Sequence, residues 1–142
     1  MGAPPPDHRA PARAPAWTRT VTAVAAASFL VFGLWAFADP ESFFDRIATF
    51  HPYNQHLVQD IGAFQIGLGA VLLLAVLVPG QDAMAVGLLG VGAGSAVHVV
   101  SHIIGHDLGG RPETDIPLFI ALTLLLVVPG IVRWRAASGG RS

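Results

Sequence analysis

The sequence predicts an all-α integral membrane protein: an antiparallel four-helix bundle with a short amphipathic outer helix between the first and second spans. Hydrophobic residues make up 53% of the 142 residues and charged residues only 12%. A soluble domain of this length could not bury so much apolar surface. Four apolar runs, separated by turn-forming residues, are also long enough to cross the ~30 Å hydrocarbon core of a bilayer. One membrane domain over residues 17–135 is therefore expected.

The first apolar run covers residues 17–38 and is followed by a good helix opening. Asp39 can cap the new helix, Pro40 suits its first position, and Glu41 adds an acid to the first turn. Phe43, Phe44, Ile47 and Phe50 then share one face. This pattern predicts a short amphipathic helix in the membrane interface, or an ordinary helix packed on the end of the bundle.

The other three spans are predicted at residues 55–78, 83–104 and 116–132. Asn54 can cap the second span, and Thr114 or Asp115 the fourth. In the third span, Gly90 and Gly94 form a small-xxx-small pattern, which predicts close approach of a neighbouring helix.

The segments outside the domain are predicted to be tails. Residues 1–16 are rich in proline, alanine and arginine, which predicts a disordered cytoplasmic segment, and residues 136–142 form a flexible C-terminal tail. The basic start, the apolar run and Ala36-Phe37-Ala38 also resemble a cleaved signal peptide. The run exceeds the usual 7–15 apolar residues of such a signal, so a retained first helix is favoured.

The arginines predict which way the chain lies in the membrane. The N-terminal region and the C-terminal end carry six of the eight arginines, whereas the two long loops between spans carry mostly acids. By the positive-inside rule, both termini face the cytoplasm in a multi-pass protein of the plasma membrane. The same composition excludes other classes of protein. A net charge of −1 without lysine leaves no basic surface for nucleic acid, and zero cysteines exclude thiolate metal sites and disulfides.

The candidate site is a group of polar residues at the outer ends of the second and third spans. His98, His102 and His106 recur every fourth residue and so climb one face of the third helix. In an antiparallel bundle, His56 and Asp60 of the second helix descend past them. Gln65 lies about a turn and a half below Asp60. Ionisable groups at this depth are costly and often mark function, so we expect an outer-leaflet polar cluster of His56, Asp60, Gln65, His98 and His102.

Three kinds of chemistry fit such a cluster. His56, Asp60, His98 and His102 could bind a transition metal such as zinc, iron or copper, or two histidines could hold a haem. Asp60 and His102, as the candidate catalytic residues, could move a proton on a lipid-soluble substrate such as a quinone or isoprenoid. In the third alternative, hydrogen bonds from the histidines to Asp60 only fix the helices in register.

One stretch of the second span supports a resemblance to known proteins. Residues 54–62, with the sequence NQHLVQDIG, and the later pair His98 and His102 resemble small, uncharacterised four-helix membrane proteins of actinobacteria. Their architecture is loosely DoxX-like, and the resemblance covers the four spans. Gln59 stands where an arginine is expected in many of these proteins. The resemblance implies the architecture only, because DoxX-like proteins include quinone-linked redox subunits as well as proteins without assigned activity.

Taken together, the sequence predicts an accessory or small-ligand-binding membrane protein with an outer-leaflet cluster of histidine and aspartate. Its expected partners are the lipid bilayer and either a hydrophobic small molecule or another membrane subunit. The alternative is a membrane-embedded metal or haem protein, or an acid–base enzyme.

Overall fold

The protein is an all-α bundle, as the sequence predicts. The computed structural model describes residues 15–48 and 50–139. Four long helices have the length and hydropathy of membrane spans: α1 (Ala16–Ala38), α3 (Gln55–Leu77), α4 (Gln81–Ile104) and α5 (Pro112–Ser138). No more than 39% of the apolar window of any of these helices is buried within the chain. Such exposure suits helices whose outer faces contact lipid.

The first three spans begin and end within two residues of the predicted positions, whereas the fourth is longer. Pro112 takes the first helical position of α5, which suits proline because it lacks an N–H. No side chain caps this helix, so the predicted cap at Thr114 or Asp115 is wrong. At its other end α5 runs past residue 132 to Ser138, and so includes the first residues of the predicted C-terminal tail. The predicted N-terminal tail lies almost entirely outside the described residues.

A short helical segment connects α1 to α3. It consists of α2 (Pro40–Phe43) and a π-helical turn (Phe44–Ala48). The Asp39 side chain caps α2 by accepting a hydrogen bond from the backbone N–H of Ser42 at 3.3 Å. Phe43 and Phe44 are buried with Ala36 of α1 and Val58 of α3. The segment therefore packs on the end of the α1–α3 pair, and its position in the membrane interface stays a prediction.

The helices pack in two pairs, α1 with α3 and α4 with α5, while α3 and α4 contact each other less extensively. Glycine residues allow the two helices of each pair to approach each other closely. A Cβ on Gly62 would lie 2.7 Å from the backbone nitrogen of Phe37, and one on Gly92 would lie 2.8 Å from Cγ2 of Val127. Gly90 and Gly94, the predicted packing pair, have nothing within 4 Å of an added Cβ. That prediction is wrong within this chain, because the close contact of α4 with α5 is made at Gly92.

The main hydrophobic core lies in one half of the bundle, where both helix pairs contribute side chains to it. It contains residues of all four long helices: Ala26, Leu72, Val76, Met84, Leu88, Val91 and Leu126. The half that holds most of this core ends at the tight α3–α4 turn and carries Arg19, Arg133 and Arg135; we call it the arginine end. The opposite end, where α1 and α4 end and α3 and α5 begin, is the acidic end. Its loops and helix starts carry Asp39, Glu41, Asp45, Asp107, Glu113 and Asp115.

Candidate functional site

The candidate site lies between α3 and α4 in the acidic half of the bundle. The two helices touch near their turn, where a Cβ on Gly87 would lie 3.0 Å from Cβ of Ala75 and 3.8 Å from the carbonyl oxygen of Val71. Those positions define the faces that α3 and α4 turn toward each other. Positions eleven residues apart on a helix differ by only about 20° in direction and about 16 Å in height.

Helical geometry puts Asp60 and His98 on these facing sides and at the same level. Asp60 lies eleven residues before Val71, and His98 lies eleven residues after Gly87. Both are therefore about 16 Å from the α3–α4 contact, in the direction of the acidic end. Phe64 falls on the same face of α3, and His102 falls on the same face of α4 one turn beyond His98.

These facing side chains are not covered by the opposite helix. Asp60 is 52% exposed and Phe64 is 76% exposed, and His98 is exposed as well. Val91, on the same face of α4 but nearer the turn, is only 3% exposed. The two helices thus separate toward the acidic end and leave an opening, which we call the α3–α4 cleft. Its walls are Asp60 and Phe64 on one side and His98 and His102 on the other.

The α4 wall of the cleft is a compact cluster of three rings. The ring centroids of His98 and His102 are 4.7 Å apart, and both rings contact Phe119 of α5, at 4.8 Å and 4.6 Å. No sequence signal marks Phe119, because an isolated phenylalanine in a membrane span is expected to face lipid. Only the antiparallel pairing of α4 with α5 brings it level with the histidines.

The α3 wall carries an imidazole–carboxylate pair. Nε2 of His56 lies 3.5 Å from Oδ2 of Asp60, one turn apart on the same helix, and the His56 side chain is 87% exposed. Gln65 is not part of this wall. A Cβ added to Gly33 of α1 would lie 3.0 Å from Cβ of Gln65, so Gln65 is on the face of α3 that contacts α1.

The predicted cluster of five residues is therefore divided in the structure. His56 contacts Asp60, and His98 contacts His102, but within residues 15–48 and 50–139 no three His, Asp or Glu side chains are grouped to hold a metal ion. The direct contact expected between Asp60 and the α4 histidines is not formed. The physical reason is the pairing of the helices: the glycine contacts hold α3 against α1 and α4 against α5. Binding of a metal or haem by these residues stays a prediction.

Two loops come into contact at the acidic end of the bundle. A Cβ on Gly109, in the loop after α4, would lie 3.4 Å from Cα of Phe50, in the segment before α3. Phe50 in turn packs against Phe44, with ring centroids 5.6 Å apart. The loop after α4 and the segment before α3 are thus joined at the end of the bundle.

Comparison of the chain with protein-family profiles, with curated proteins and with solved structures gave no match. The geometry of the cleft and the chemistry of its side chains are therefore the basis for assigning a function.

Proposed function

We propose that this membrane protein binds a lipid-soluble small molecule in the α3–α4 cleft. The observation that carries the proposal is the ring cluster of His98, His102 and Phe119, with exposed His98 at the level of the half-exposed Asp60 on α3. Ionisable groups in a membrane span face protein or a polar cavity because exposure to hydrocarbon is costly.

The cleft offers two kinds of contact to such a ligand. Each imidazole can donate and accept a hydrogen bond, and Asp60 adds a second polar group on the opposite wall. Phe64 and Phe119 offer aromatic surface beside these groups. This combination of apolar walls with a few polar groups is typical of small-molecule sites, and it fits a ring-bearing molecule with carbonyl or hydroxyl groups, such as a quinone.

The depth of the site along α4 supports entry of the ligand from the membrane. His98 lies six residues, or about 9 Å, from the end of α4 at Ile104, and therefore below the membrane surface. A hydrophobic molecule in the bilayer would enter between α3 and α4 at this depth.

Binding of decylubiquinone as a probe to the full chain in lipid nanodiscs tests the proposal. We expect saturable binding that His98→Leu and His102→Leu each weaken about fivefold, because one lost hydrogen bond costs about 1 kcal/mol. His106→Leu is the matched control, since His106 lies in the loop beyond α4 and bonds the carbonyl oxygen of Ile103. Absence of saturable binding, or an equal loss in the His106 variant, would contradict the proposal.

A second candidate function is that of an accessory subunit, with a transmembrane helix of a partner seated in the same cleft. The observation in its favour is that Gly67 and Gly94, on the two facing sides, have nothing within 4 Å of an added Cβ. Small residues allow helices to approach closely in a bilayer. Gly94→Ile would then abolish co-purification of the partner subunit, whereas a small-molecule site would keep its affinity for the probe within about twofold.

We further propose that both termini face the cytoplasm, in the plasma membrane. The support is the charge difference between the ends: the described spans end in Arg19, Arg133 and Arg135 at one side and in acidic loops at the other. A fluorescent-protein fusion after Ser142 should be fluorescent, and an alkaline-phosphatase fusion there should be inactive. The opposite pair of results would reverse the orientation and place the cleft in the cytoplasmic leaflet.

A further inference from the structure

A second region of the molecule carries a buried arginine next to an apolar groove. The groove lies between α1 and α5 near the arginine end and has a volume of about 350 Å³. Trp17 and Val21 line it from α1, and Leu125, Val128 and Pro129 are among the residues that line it from α5. This volume is at the lower end of the range for ligand sites.

Arg133 continues the α5 wall of this groove. It follows Pro129 by one helical turn, so it lies on the same face of α5 and about 6 Å nearer the end of the bundle. Arg133 is only 9% exposed, and its Nε has no hydrogen-bond partner. In the part of the chain that the structure describes, no carboxylate forms an ion pair with it.

The neighbouring charge makes the position of Arg133 more costly. Arg19 of α1, two residues after Trp17, is close enough to repel Arg133 electrostatically. A buried guanidinium without a counter-charge is unfavourable, and a second positive charge beside it adds to the cost. An anion that contacts both arginines would remove both penalties.

The depth of these residues identifies the kind of anion. α5 has 27 residues and is therefore about 40 Å long, longer than the ~30 Å hydrocarbon core. Arg133 lies five residues before its end at Ser138, near the level at which lipid phosphates lie. Trp17 and Trp134, both about half exposed, lie at the same end, as aromatic residues of the membrane interface do.

We propose that Arg133 and Arg19 bind the phosphate of an anionic glycerophospholipid whose acyl chain occupies the α1–α5 groove. The guanidinium fork of Arg133 binds the phosphate oxygens by charge-assisted hydrogen bonds. The apolar residues from Ala121 to Pro129, about 12 Å along α5, contact the chain below the headgroup. The site is separate from the α3–α4 cleft, at the opposite end of the bundle.

Native mass spectrometry of the delipidated full chain, titrated with dioleoyl phosphatidylglycerol and dioleoyl phosphatidylcholine, tests this site. We expect phosphatidylglycerol to bind at least tenfold more tightly. Arg133→Gln should abolish that preference. Arg135→Gln is the matched control, since it removes the same charge from an exposed residue two positions away and should keep the preference.

A second variant tests the groove while keeping both arginines. Leu125→Trp fills the groove from its exposed side and should weaken phosphatidylglycerol binding at least fivefold, whether or not the Arg133 variant folds. Millimolar inorganic phosphate should not displace the lipid. The proposal is overturned if Arg133→Gln and Arg135→Gln lose equal affinity, if Leu125→Trp has no effect, or if phosphate alone competes.

Discussion

At the scale of single residues, glycines decide which helices touch. Gly33 and Gly62 place α1 and α3 in backbone contact, since a Cβ on Gly62 would lie 2.8 Å from the carbonyl oxygen of Gly33. Gly67, only five residues further along α3, has no atom beyond its own helix backbone within 4 Å of an added Cβ. The same amino acid therefore packs a helix interface at one position and lies on the open cleft face at the other.

We expect the variants Gly62→Ala and Gly67→Ala to have different effects on the free energy of unfolding. The first variant should lower the free energy of unfolding by about 1–3 kcal/mol, because its new methyl group meets backbone atoms that cannot move aside. The second should leave it unchanged or raise it by up to about 1 kcal/mol, since alanine favours helix over glycine. Reversible unfolding in mixed micelles measures both, and equal effects would contradict the assigned α1–α3 interface.

Phe119 belongs to the candidate site only because its ring contacts the rings of His98 and His102. In sequence, the histidines form a recurring pattern and the phenylalanine does not. In space, all three rings lie within 5 Å of one another between centroids. The chemical character of the α4 wall, with two imidazoles packed on an aromatic ring, follows from this contact.

At the scale of helices, local capping signals determine where some elements begin. Oδ1 of Asn54 accepts a hydrogen bond from the backbone N–H of Leu57 at 3.1 Å, at the start of α3. This is the arrangement that the sequence predicts for Asn54 as an N-cap. The predicted cap of α5 is wrong because the helix starts earlier, at Pro112, where Oδ2 of Asp115 instead accepts a hydrogen bond from the backbone N–H of Arg111 at 2.8 Å.

Removing the Asn54 cap should destabilise the acidic end of α3. Asn54→Ala is expected to lower the free energy of unfolding by about 1 kcal/mol, because one N–H of the first turn loses its acceptor. Asn54→Asp keeps an acceptor and should stay within a few tenths of a kcal/mol of the parent. Thermal unfolding in detergent measures the difference, and equal behaviour of the two variants would show that the cap contributes nothing.

At the scale of the whole molecule, the pairing of helices leaves the α3–α4 cleft open. The absence of native cysteine allows a direct test, because introduced cysteines have no competitors. Ala75→Cys with Gly87→Cys should form a disulfide on mild oxidation, since the two Cβ positions are close. Asp60→Cys with His98→Cys should not, although the helical register places them at the same level. Efficient crosslinking of the second pair in the bilayer would show that the cleft is closed.

The sequence by itself determined the helices, because their signals are local. Length and hydropathy predicted the four spans, Asp39 and Asn54 predicted two caps, and helical rise placed Asp60 level with His98. These properties depend on residues near one another in the chain, so each can be read without knowing the rest of the fold.

Only the tertiary structure decided which faces of those helices are covered. Whether Asp60 reaches the histidines depends on how α1 and α5 pack behind the two helices, and the contacts of Gly33 with Gly62 and of Gly92 with Val127 settle that packing. The separation of α3 from α4, the ring of Phe119 beside His98 and the burial of Arg133 next to an apolar groove all follow from contacts between distant segments. Hydropathy cannot predict such contacts, because inside a bilayer an apolar face is equally suited to lipid and to another helix.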